Sequence, residues 1–396
     1  MHQHAHTTAE LPAGARRRAR ILLSAIVIPL LLATLAATWW LWPRGDSLIG
    51  SRELFGPDSP SATAEVLTAP TMEGSLSVAS IKLTSGDNAG HKTHMQIPPE
   101  IAAHGLHVGD SIRVVFYPDA VDSGYPYVFY DYERGQPMLI LALIYLAVVA
   151  LVARVRGMAA VVGLLASLGV IVFFVIPALM AGSPPVPVAL TGASLMMFAA
   201  VYLAHGVSIR TTTALLGTFL GLAVTLGVGL WALRAAHVTG AQGDLGQMLA
   251  GTLPGIRLGD LIVCGVVIAG LGALNDVTIT QASAVWELHA ANPGASRRDL
   301  WRGGMRIGED HIASTVYTLA FAYAGTALPL LILASLINRP LLGTLTAGEI
   351  AEEIVRTLVS SIGLIVAIPL TTAIAVALVH VAPARARRHR STKGDM

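Results

Sequence analysis

Two short groups of polar side chains stand at the ends of long apolar segments in this 396-residue sequence, and their types and spacing could do chemistry. In the first group the spacings from the aspartate onward are four, three and four, which places the side chains on one face of a helix. The two groups are Asn275, Asp276, Thr280, Ser283 and Glu287, and then Glu309, Asp310, His311 and Ser314. Carboxylates, hydroxyls and an imidazole at this position could form the polar path or gate of an ion or a proton.

Two interpretations of these residues stay open. Ionisable groups that enter a membrane span are costly, so they usually face a bundle interior or a water-filled cavity. Equally, the ends of helices at a membrane surface carry solvated charge. Between the two groups, Ser296 can cap a helix in which Arg298, Arg302 and Arg306 recur every four residues. We expect the segment at about 277–310 to be amphipathic and to lie at the membrane surface, with these arginines on lipid head groups.

The elements that must position these groups are apolar runs of about 20 residues, each able to cross a hydrocarbon core of roughly 30 Å. The chain is 54% hydrophobic and 13% charged, whereas a soluble domain carries about a quarter charged residues. We therefore predict an α-helical polytopic membrane protein with about eight transmembrane helices. The runs are Ile21–Trp42, Pro137–Ala153, Met158–Met180, Val186–Ala204, Thr213–Leu233, Leu258–Leu274, Ile312–Leu336 and Thr357–Val379.

The basic residues of the short connections predict an orientation. Sixteen lie on one side of the eight runs and four on the other, and the side rich in arginine is expected to be cytoplasmic. The four are Arg234, Arg257, Arg339 and Arg356. Both termini, residues 1–20 and 382–396, are then cytoplasmic tails of a plasma-membrane protein. Residues 21–42 form the first span, and residues 137–381 form a membrane domain of seven helices.

Small residues within the spans predict close packing of helices. Gly217-x-x-x-Gly221 and Gly265-x-x-x-Ala269 have the spacing that lets helix backbones approach each other. The last six spans could form two three-helix units of opposite topology, as in transporters with inverted repeats. The two halves show no convincing sequence match.

Residues 43–136 differ in composition and predict a separate extracytoplasmic domain. They hold 12 of the 24 acidic residues and no long apolar run. Short segments with alternating or β-branched residues, separated by turn signals, predict a small β-barrel of SH3 or OB type. The segments are Glu65–Leu67, Ser75–Thr84, His91–Ile97, Asp110–Tyr117 and Tyr127–Tyr132, and the predicted core is Val66, Leu76, Val78, Ile81, Ile97, Ile112, Val114 and Phe116.

Metal and cofactor chemistry finds little support in the sequence. Two H-x-x-H pairs, His91, His94, His104 and His107, could bind zinc, but residues three apart on a strand face opposite sides. We expect them to be solvated, and likewise His2, His4 and His6 of the amino-terminal tail. The single cysteine, Cys264, excludes an internal disulfide. No H-E-x-x-H, G-x-S-x-G or GxGxxG motif is present, so we predict no cofactor and no enzyme.

Several motifs resemble the YibE/F family of bacterial multi-pass membrane proteins. They are Gly272-Ala273-Leu274-Asn275-Asp276-Val277 through Glu287 and Asn292-Pro293, Gly304-Met305-x-Ile307-Gly308, Ala324-Gly325-x-x-Leu328-Pro329-Leu330, Leu83-x-Ser85-Gly86, Gly109-Asp110-x-Ile112-x-Val114 and Tyr130-Asp131. The resemblance covers about residues 60–380. It implies an architecture and a membrane location, and it carries no secure biochemical activity.

Our first functional hypothesis is a permease-like protein that moves a small solute or ion, with the polar groups as its gate. The second is a non-transporting membrane factor, whose outer domain binds an extracytoplasmic protein or whose arginine-rich segment senses lipid. An intramembrane enzyme is the third. The net charge of +2 and the absence of a basic patch with aromatic residues exclude nucleic acid as a partner. The lipid bilayer is a partner in each case, and the sequence leaves homo-oligomers open.

Overall fold

The computed structural model of the protein describes residues 13–44, 49–50, 59–73, 76–253 and 255–379. The tail histidines and the carboxyl-terminal basic tail at 382–396 lie outside these ranges. The chain divides into two compact units. One is a helical bundle built from residues 1–47 and 155–396, and the other, residues 48–154, contains a β-barrel.

The described strands lie between residues 61 and 132, and most of the helices follow them. The strands are β1 (Ser61–Val66), β2 (Thr71–Glu73), β3 (Leu76–Leu83), β4 (Lys92–Ile97), β5 (Ser111–Phe116) and β6 (Tyr127–Tyr132). The helices are α1 (Ala13–Leu41), α2 (Pro99–His104), α3 (Gly135–Val170), α4 (Ile176–Met180), α5 (Pro185–His205), α6 (Ile209–Ala235), α7 (Asp244–Thr252), α8 (Leu258–Ala291), α9 (Arg297–Thr326), α10 (Leu328–Ser335), α11 (Leu341–Leu345) and α12 (Gly348–Val379). A 3₁₀ helix spans Pro118–Ser123, and a π-helical segment joins α3 to α4 at Ile171–Val175.

Pairing between β1 and β3 closes the barrel. The sheet order is β1-β5-β6-β4-β3-β2, and β1 also pairs with β3, as in Val66 opposite Ile81. Only the β4–β6 pair is parallel; the other pairs are antiparallel. Five strands thus form the closed barrel, with β2 added beside β3.

This connectivity favours the OB type over the SH3 type of barrel. The five barrel strands follow one another around the barrel as first, second, third, fifth and fourth, and a helix, α2, connects the third to the fourth. That arrangement is the Greek-key order of an OB barrel. All five strands that the sequence predicts are present, and the short strand β2 is an addition that its three exposed residues did not signal.

The predicted barrel core is correct at most positions, but Leu76 is wrong. Val66, Ile81, Ile97, Ile112 and Val114 lie in one buried cluster with Met95 and Phe129. Leu76 is 39% exposed, because the face of β3 that points into the barrel carries Ala79, Ile81 and Leu83. Val78 is buried outside this cluster. The predicted core thus combined residues from both faces of β3, and Ile81 alone of the three lies on the face that points into the barrel.

The membrane bundle is centred on three helices that contact one another, α6, α8 and α12. α5 packs against α8, α9 packs against α8 and α12, and α1 packs against α5 and α6. In the largest cluster the side chains are aliphatic or aromatic, such as Phe174, Met197 and Leu222. Helices with apolar residues on all sides suit a lipid environment, because no water-facing polar side is needed.

By length and composition, six described helices could cross a membrane, or seven if α9 and α10 count as one span bent by 64°. The sequence predicts eight. The difference lies in residues 135–180, one apolar stretch of 46 residues that the sequence divides in two. Its backbone leaves the helical region at Arg154, with φ 52° and ψ −137°, between the two predicted spans. The count of eight therefore stays a prediction.

The segment at about 277–310 packs against the rest of the bundle. Val285, in the second half of α8, is fully buried against Leu300 and Val376. The helix that Ser296 caps, α9, runs without a break from Arg297 to Thr326 and packs along α8 and α12. The position of this segment at the membrane surface stays a prediction.

Candidate functional site

Two faces of α8 differ in what covers them. The covered face carries Leu274, Thr278, Gln281 and Val285, all at most 2% exposed. The other face is open along most of the helix. Its exposed residues recur at intervals of three, four or seven, and they are Gly265, Ala269, Gly272, Asp276, Thr280 and Glu287. This open stripe is small and apolar in its first half and polar in its second half.

On the covered face, Gln281 joins three helices. Its amide Nε2 donates to the carbonyl oxygen of Gly304 on α9 at 2.8 Å and to Thr372 Oγ1 on α12 at 2.7 Å. Glycines on α9 make room for the amide: a Cβ at Gly308 would lie 3.2 Å from Gln281 Oε1. A polar group buried in a bundle is stabilising only when its partners are in place, and here they are.

A second polar contact on this face joins α8 to α6. The hydroxyl oxygens of Thr218 and Thr278 lie 2.6 Å apart. Each also lies within hydrogen-bond distance of a backbone carbonyl oxygen of its own helix. One turn away, a Cβ at Gly221 would lie 2.8 Å from Leu274 Cδ2 and from Ala367 Cβ. The predicted small-residue packing at Gly217 and Gly221 is thus confirmed. Gly265 has open space around it, so the second predicted pair makes no such contact.

α6 and α12 cross each other with reciprocal contacts. A Cβ on Gly217 would overlap the hydroxyl of Thr371, and a Cβ on Gly363 would overlap the hydroxyl of Thr225. The two helices run in opposite directions at this contact, and each supplies a glycine at one end and a threonine at the other. The matched residues are Gly217, Gly221 and Thr225 on α6 and Gly363, Ala367 and Thr371 on α12.

The open stripe brings together part of the predicted polar cluster. His311 Nε2 lies 4.0 Å from Asp276 Oδ2, with 30% of the histidine side chain and 76% of the aspartate side chain exposed. This nitrogen is buried and forms no hydrogen bond within the described parts of the chain, and the same holds for Asn275 Oδ1. At 4.0 Å the pair is too long for a hydrogen bond, so both groups keep capacity for a proton, a water molecule or a ligand.

The depth of Asp276 follows from the helical rise. Asp260, in the first turn of α8, forms an ion pair with Arg257 at 2.8 Å and so marks a polar end of the bundle. Asp276 lies 16 residues further on, about 24 Å along the helix. A hydrocarbon core of roughly 30 Å that begins at Asp260 ends near Thr280. Were the core to begin there, Asp276 would lie about 6 Å from its other boundary.

The remaining predicted residues lie outside the Asp276–His311 pair. Glu309 and Asp310 are exposed on α9, and the described chain places no cation within 4 Å of either. Ser314 donates a hydrogen bond to the carbonyl oxygen of His311 at 3.1 Å. Glu287 lies 3.8 Å from Arg210, an exposed pair, while Ser283 lines a separate cavity and Thr280 is exposed on the stripe.

The three arginines predicted to reach lipid are exposed on α9. Arg298, Arg302 and Arg306 follow a capping box in which Ser296 and Asp299 each accept from the other's backbone amide. The apolar residues beside them differ in exposure. Leu300 is 2% exposed, whereas Trp301 and Ile307 are 36% and 40% exposed.

The histidines of the two H-x-x-H pairs, which we predict to be solvated, make separate contacts where their side chains are described. His91 Nδ1 lies 3.1 Å from the carbonyl oxygen of Asn88, and His94 Nδ1 lies 3.2 Å from Ser80 Oγ. His107 is 3.8 Å from Asp110. Across the ranges that the structure describes, no three His, Cys, Asp or Glu side chains come together as a metal site.

Sequence reasoning missed Gln281, Thr218 and Thr278. A signal was present, since an amide in an apolar helix must find partners. The identity of those partners depends on how α6, α9 and α12 pack, which no single helix reveals.

A family model described as YibE/F-like protein matches residues 141–381. The matched range is more than half of the chain and contains α5 to α12 in full. The chain belongs to the YibE/F-like family. Comparison with curated proteins gives no match, and comparison with solved structures gives none either.

The family assignment fits the architecture of the bundle. This YibE/F-like protein is a membrane protein with several apolar helices. Both faces of α8 and all of the predicted polar residues lie within the YibE/F-like range. The barrel strands precede it, so the resemblance of the barrel motifs to the family stays a prediction.

Proposed function

We propose that the protein carries a small solute or ion across the membrane, with Asp276 and His311 as the pair that binds a proton or the carried species. The observation that supports this most is the pair itself, a carboxylate and an imidazole 4.0 Å apart, which we infer to stand near the edge of the hydrocarbon layer. Charged groups at that depth are expensive and usually mark a path for ions, protons or substrates.

The open stripe supports the same proposal. Gly265 and Gly272 have no heavy atom within 4 Å of where a Cβ would stand, so the small residues leave space along α8 that leads to Asp276. A row of small residues followed by a carboxylate suits a narrow polar path. A surface that served only for packing against lipid would gain from larger side chains.

The reciprocal contact of α6 and α12 supports an inverted repeat. Each helix is the third member of one of the three-helix units that the sequence suggests, and antiparallel equivalents are what opposite topology requires. The 64° bend between α9 and α10 adds a broken helix, which transporters of this kind use to build binding sites.

We infer from the sixteen-to-four bias of basic residues that the arginine-rich end of the bundle faces the cytoplasm of the cell and that the membrane is the plasma membrane. Single cysteines in a Cys264→Ser background, probed with an impermeant thiol reagent, test this. A cysteine at Ser123 should react only from outside. Reaction only from the cytoplasmic side would overturn the orientation.

Flux in proteoliposomes tests the transport proposal. We expect a pH-sensitive dye and a panel of ions and small solutes to reveal a flux that Asp276→Asn and His311→Gln abolish, because each change keeps volume and removes the titrating group. Glu287→Gln is the matched control, since Glu287 lies beyond the hydrocarbon layer beside Arg210, and it should retain most of the flux. Equal flux in all three variants would contradict the proposal.

The runner-up is a non-transporting factor that uses its barrel to bind another protein. The added strand β2 pairs only with β3 within the described chain and exposes Met72 by 68%, and a free strand edge can accept a partner strand. A wild-type protein that shows no flux on the whole panel, yet loses its cellular effect when residues 71–73 are replaced, would favour this alternative.

A further inference from the structure

A small cavity lies at the end of the bundle where α5 passes into α6. Its volume is about 160 Å³, and it is lined mainly by Arg156, His205, Arg210, Thr211, Ile279 and Ser283. None of the described lining residues is acidic. The cavity therefore gathers two guanidinium groups, an imidazole and hydroxyl groups around one space.

Local structure explains why these side chains meet. α5 ends at His205, and Gly206, with φ 69°, turns the chain. Ser208 then caps α6 by accepting from the amide of Thr211, which places Arg210 in the first turn. Ser283 reaches the same space from α8.

The charges in this cavity are poorly neutralised by the protein. Within the described residues, no carboxylate lies within 4 Å of Arg156. The partner of Arg210 is Glu287 at 3.8 Å, and the two side chains are 45% and 66% exposed, so water screens their attraction. Ser283 Oγ forms no hydrogen bond with the part of the chain that is described. Two like charges that line one small space repel each other unless an anion binds between them.

We propose that this cavity binds a phosphate group. A tetrahedral oxyanion accepts several hydrogen bonds at once, and arginine supplies paired donors whose geometry matches it. Ser283 adds a neutral donor. The group could be inorganic phosphate or the phosphate of a lipid head group, since the chemistry is the same. This binding site is separate from the Asp276–His311 pair and does not require that the protein transports anything.

The test uses the full-length protein in phosphatidylcholine nanodiscs. Inorganic phosphate is titrated by calorimetry at constant ionic strength. In a parallel arm, the nanodiscs contain phosphatidylglycerol, and native mass spectrometry counts the lipids that stay bound. The variants are Arg156→Gln, Arg210→Gln and the two combined. Arg339→Gln is the matched control, because it removes an exposed arginine that does not line the cavity.

We expect one arm to show a bound phosphate group that the combined variant weakens by about tenfold or more, the size expected for losing a charge-assisted hydrogen bond. Arg339→Gln should stay within about twofold. Binding in the first arm identifies inorganic phosphate, and binding in the second identifies lipid. The Arg156→Gln variant guards against misfolding, because this side chain has no ion pair to lose. Binding that is unchanged by all the cavity variants, or absent from both arms, would overturn the proposal, whatever the outcome of the flux measurements.

Discussion

The covered and open faces of α8 both carry polar side chains, but they differ in whether those side chains have hydrogen-bond partners. On the covered face, Gln281 and Thr278 have their hydrogen-bond partners at 2.6–2.8 Å. On the open face, Asp276 and His311 remain 4.0 Å apart. Satisfied buried polar groups fix the packing of a bundle. Unsatisfied ones at membrane depth cost free energy that a folded protein keeps only where a function needs them.

This comparison separates polar residues that hold the bundle together from those that we assign to function. Neither the composition of the helix nor the spacing of its residues distinguishes the two kinds. They differ in partners, and so substitutions should separate them into variants that lose stability and variants that lose activity.

The largest effect should follow a substitution at the contact of α6 with α12. Gly217→Leu places a side chain where the hydroxyl of Thr371 stands, and the backbones cannot separate without opening the central three-helix packing. We expect loss of a monodisperse peak in detergent size-exclusion chromatography. Gly265→Leu is the matched control on the open stripe, where no atom lies within 4 Å. If both variants behave alike, the two faces do not differ as described.

A smaller effect is expected for Gln281→Leu. Leucine has a similar size and also branches beyond Cβ, and it cannot make the two hydrogen bonds to Gly304 and Thr372. Bonds between membrane helices are worth about 0.6–1.7 kcal/mol each, so the melting temperature should fall by several degrees while any flux persists. A variant with wild-type stability would mean that the amide does not tie the helices together.

The smallest effect is expected for an exposed ion pair in the barrel, which gives a reference in water. Arg113 Nε donates to Glu133 Oε2 at 2.7 Å, and this bond holds the pKa of Glu133 below its ordinary value of 4.5. Because the folded pKa is lowered, the stabilisation is present above pH 4.5 and is lost as the pH falls through the folded value. Arg113→Gln should therefore reduce stability slightly at neutral pH, by an amount that shrinks as the pH falls below 4.5.

Thermal unfolding followed by circular dichroism measures this change in stability, in a fragment spanning residues 45–134 with and without Arg113→Gln. We expect the fragment to fold alone, with a cooperative transition that a chelator does not change, because its core is a single apolar cluster. A transition lost on adding chelator would restore the histidine metal site. A difference between the two proteins that grows as the pH falls would contradict the assigned sign.

The sequence predicts the barrel strands well because each has a local cause. Alternating side chains and glycine turns such as Gly109, with φ 93°, mark where strands begin and end. Leu76 was misplaced because β3 is buried on both faces over part of its length, so alternation does not decide which side is inside.

The bundle was harder to predict because its decisive contacts are between helices. The apolar runs predicted the helices, and the spacing of polar residues predicted which face of α8 contains Asp276. The second polar group was predicted to oppose Asn275 and Asp276, but helical spacing did not show which of its members, His311, would face Asp276. The anchoring of α8 by Val285 depends on α9 and α12, and no property of α8 alone distinguishes a packed end from one that projects.

The central claim is that the open stripe is a polar path, and its direct test is the water accessibility of Gly272. This residue lies 12 positions beyond Asp260, about 18 Å along α8. Gly272→Cys and Leu274→Cys, each in a Cys264→Ser background, are treated with a small water-soluble methanethiosulfonate reagent in membranes. We predict that Cys at 272 reacts and that Cys at 274, on the covered face, does not. No reaction at 272 would mean that the stripe faces lipid, which would contradict the account.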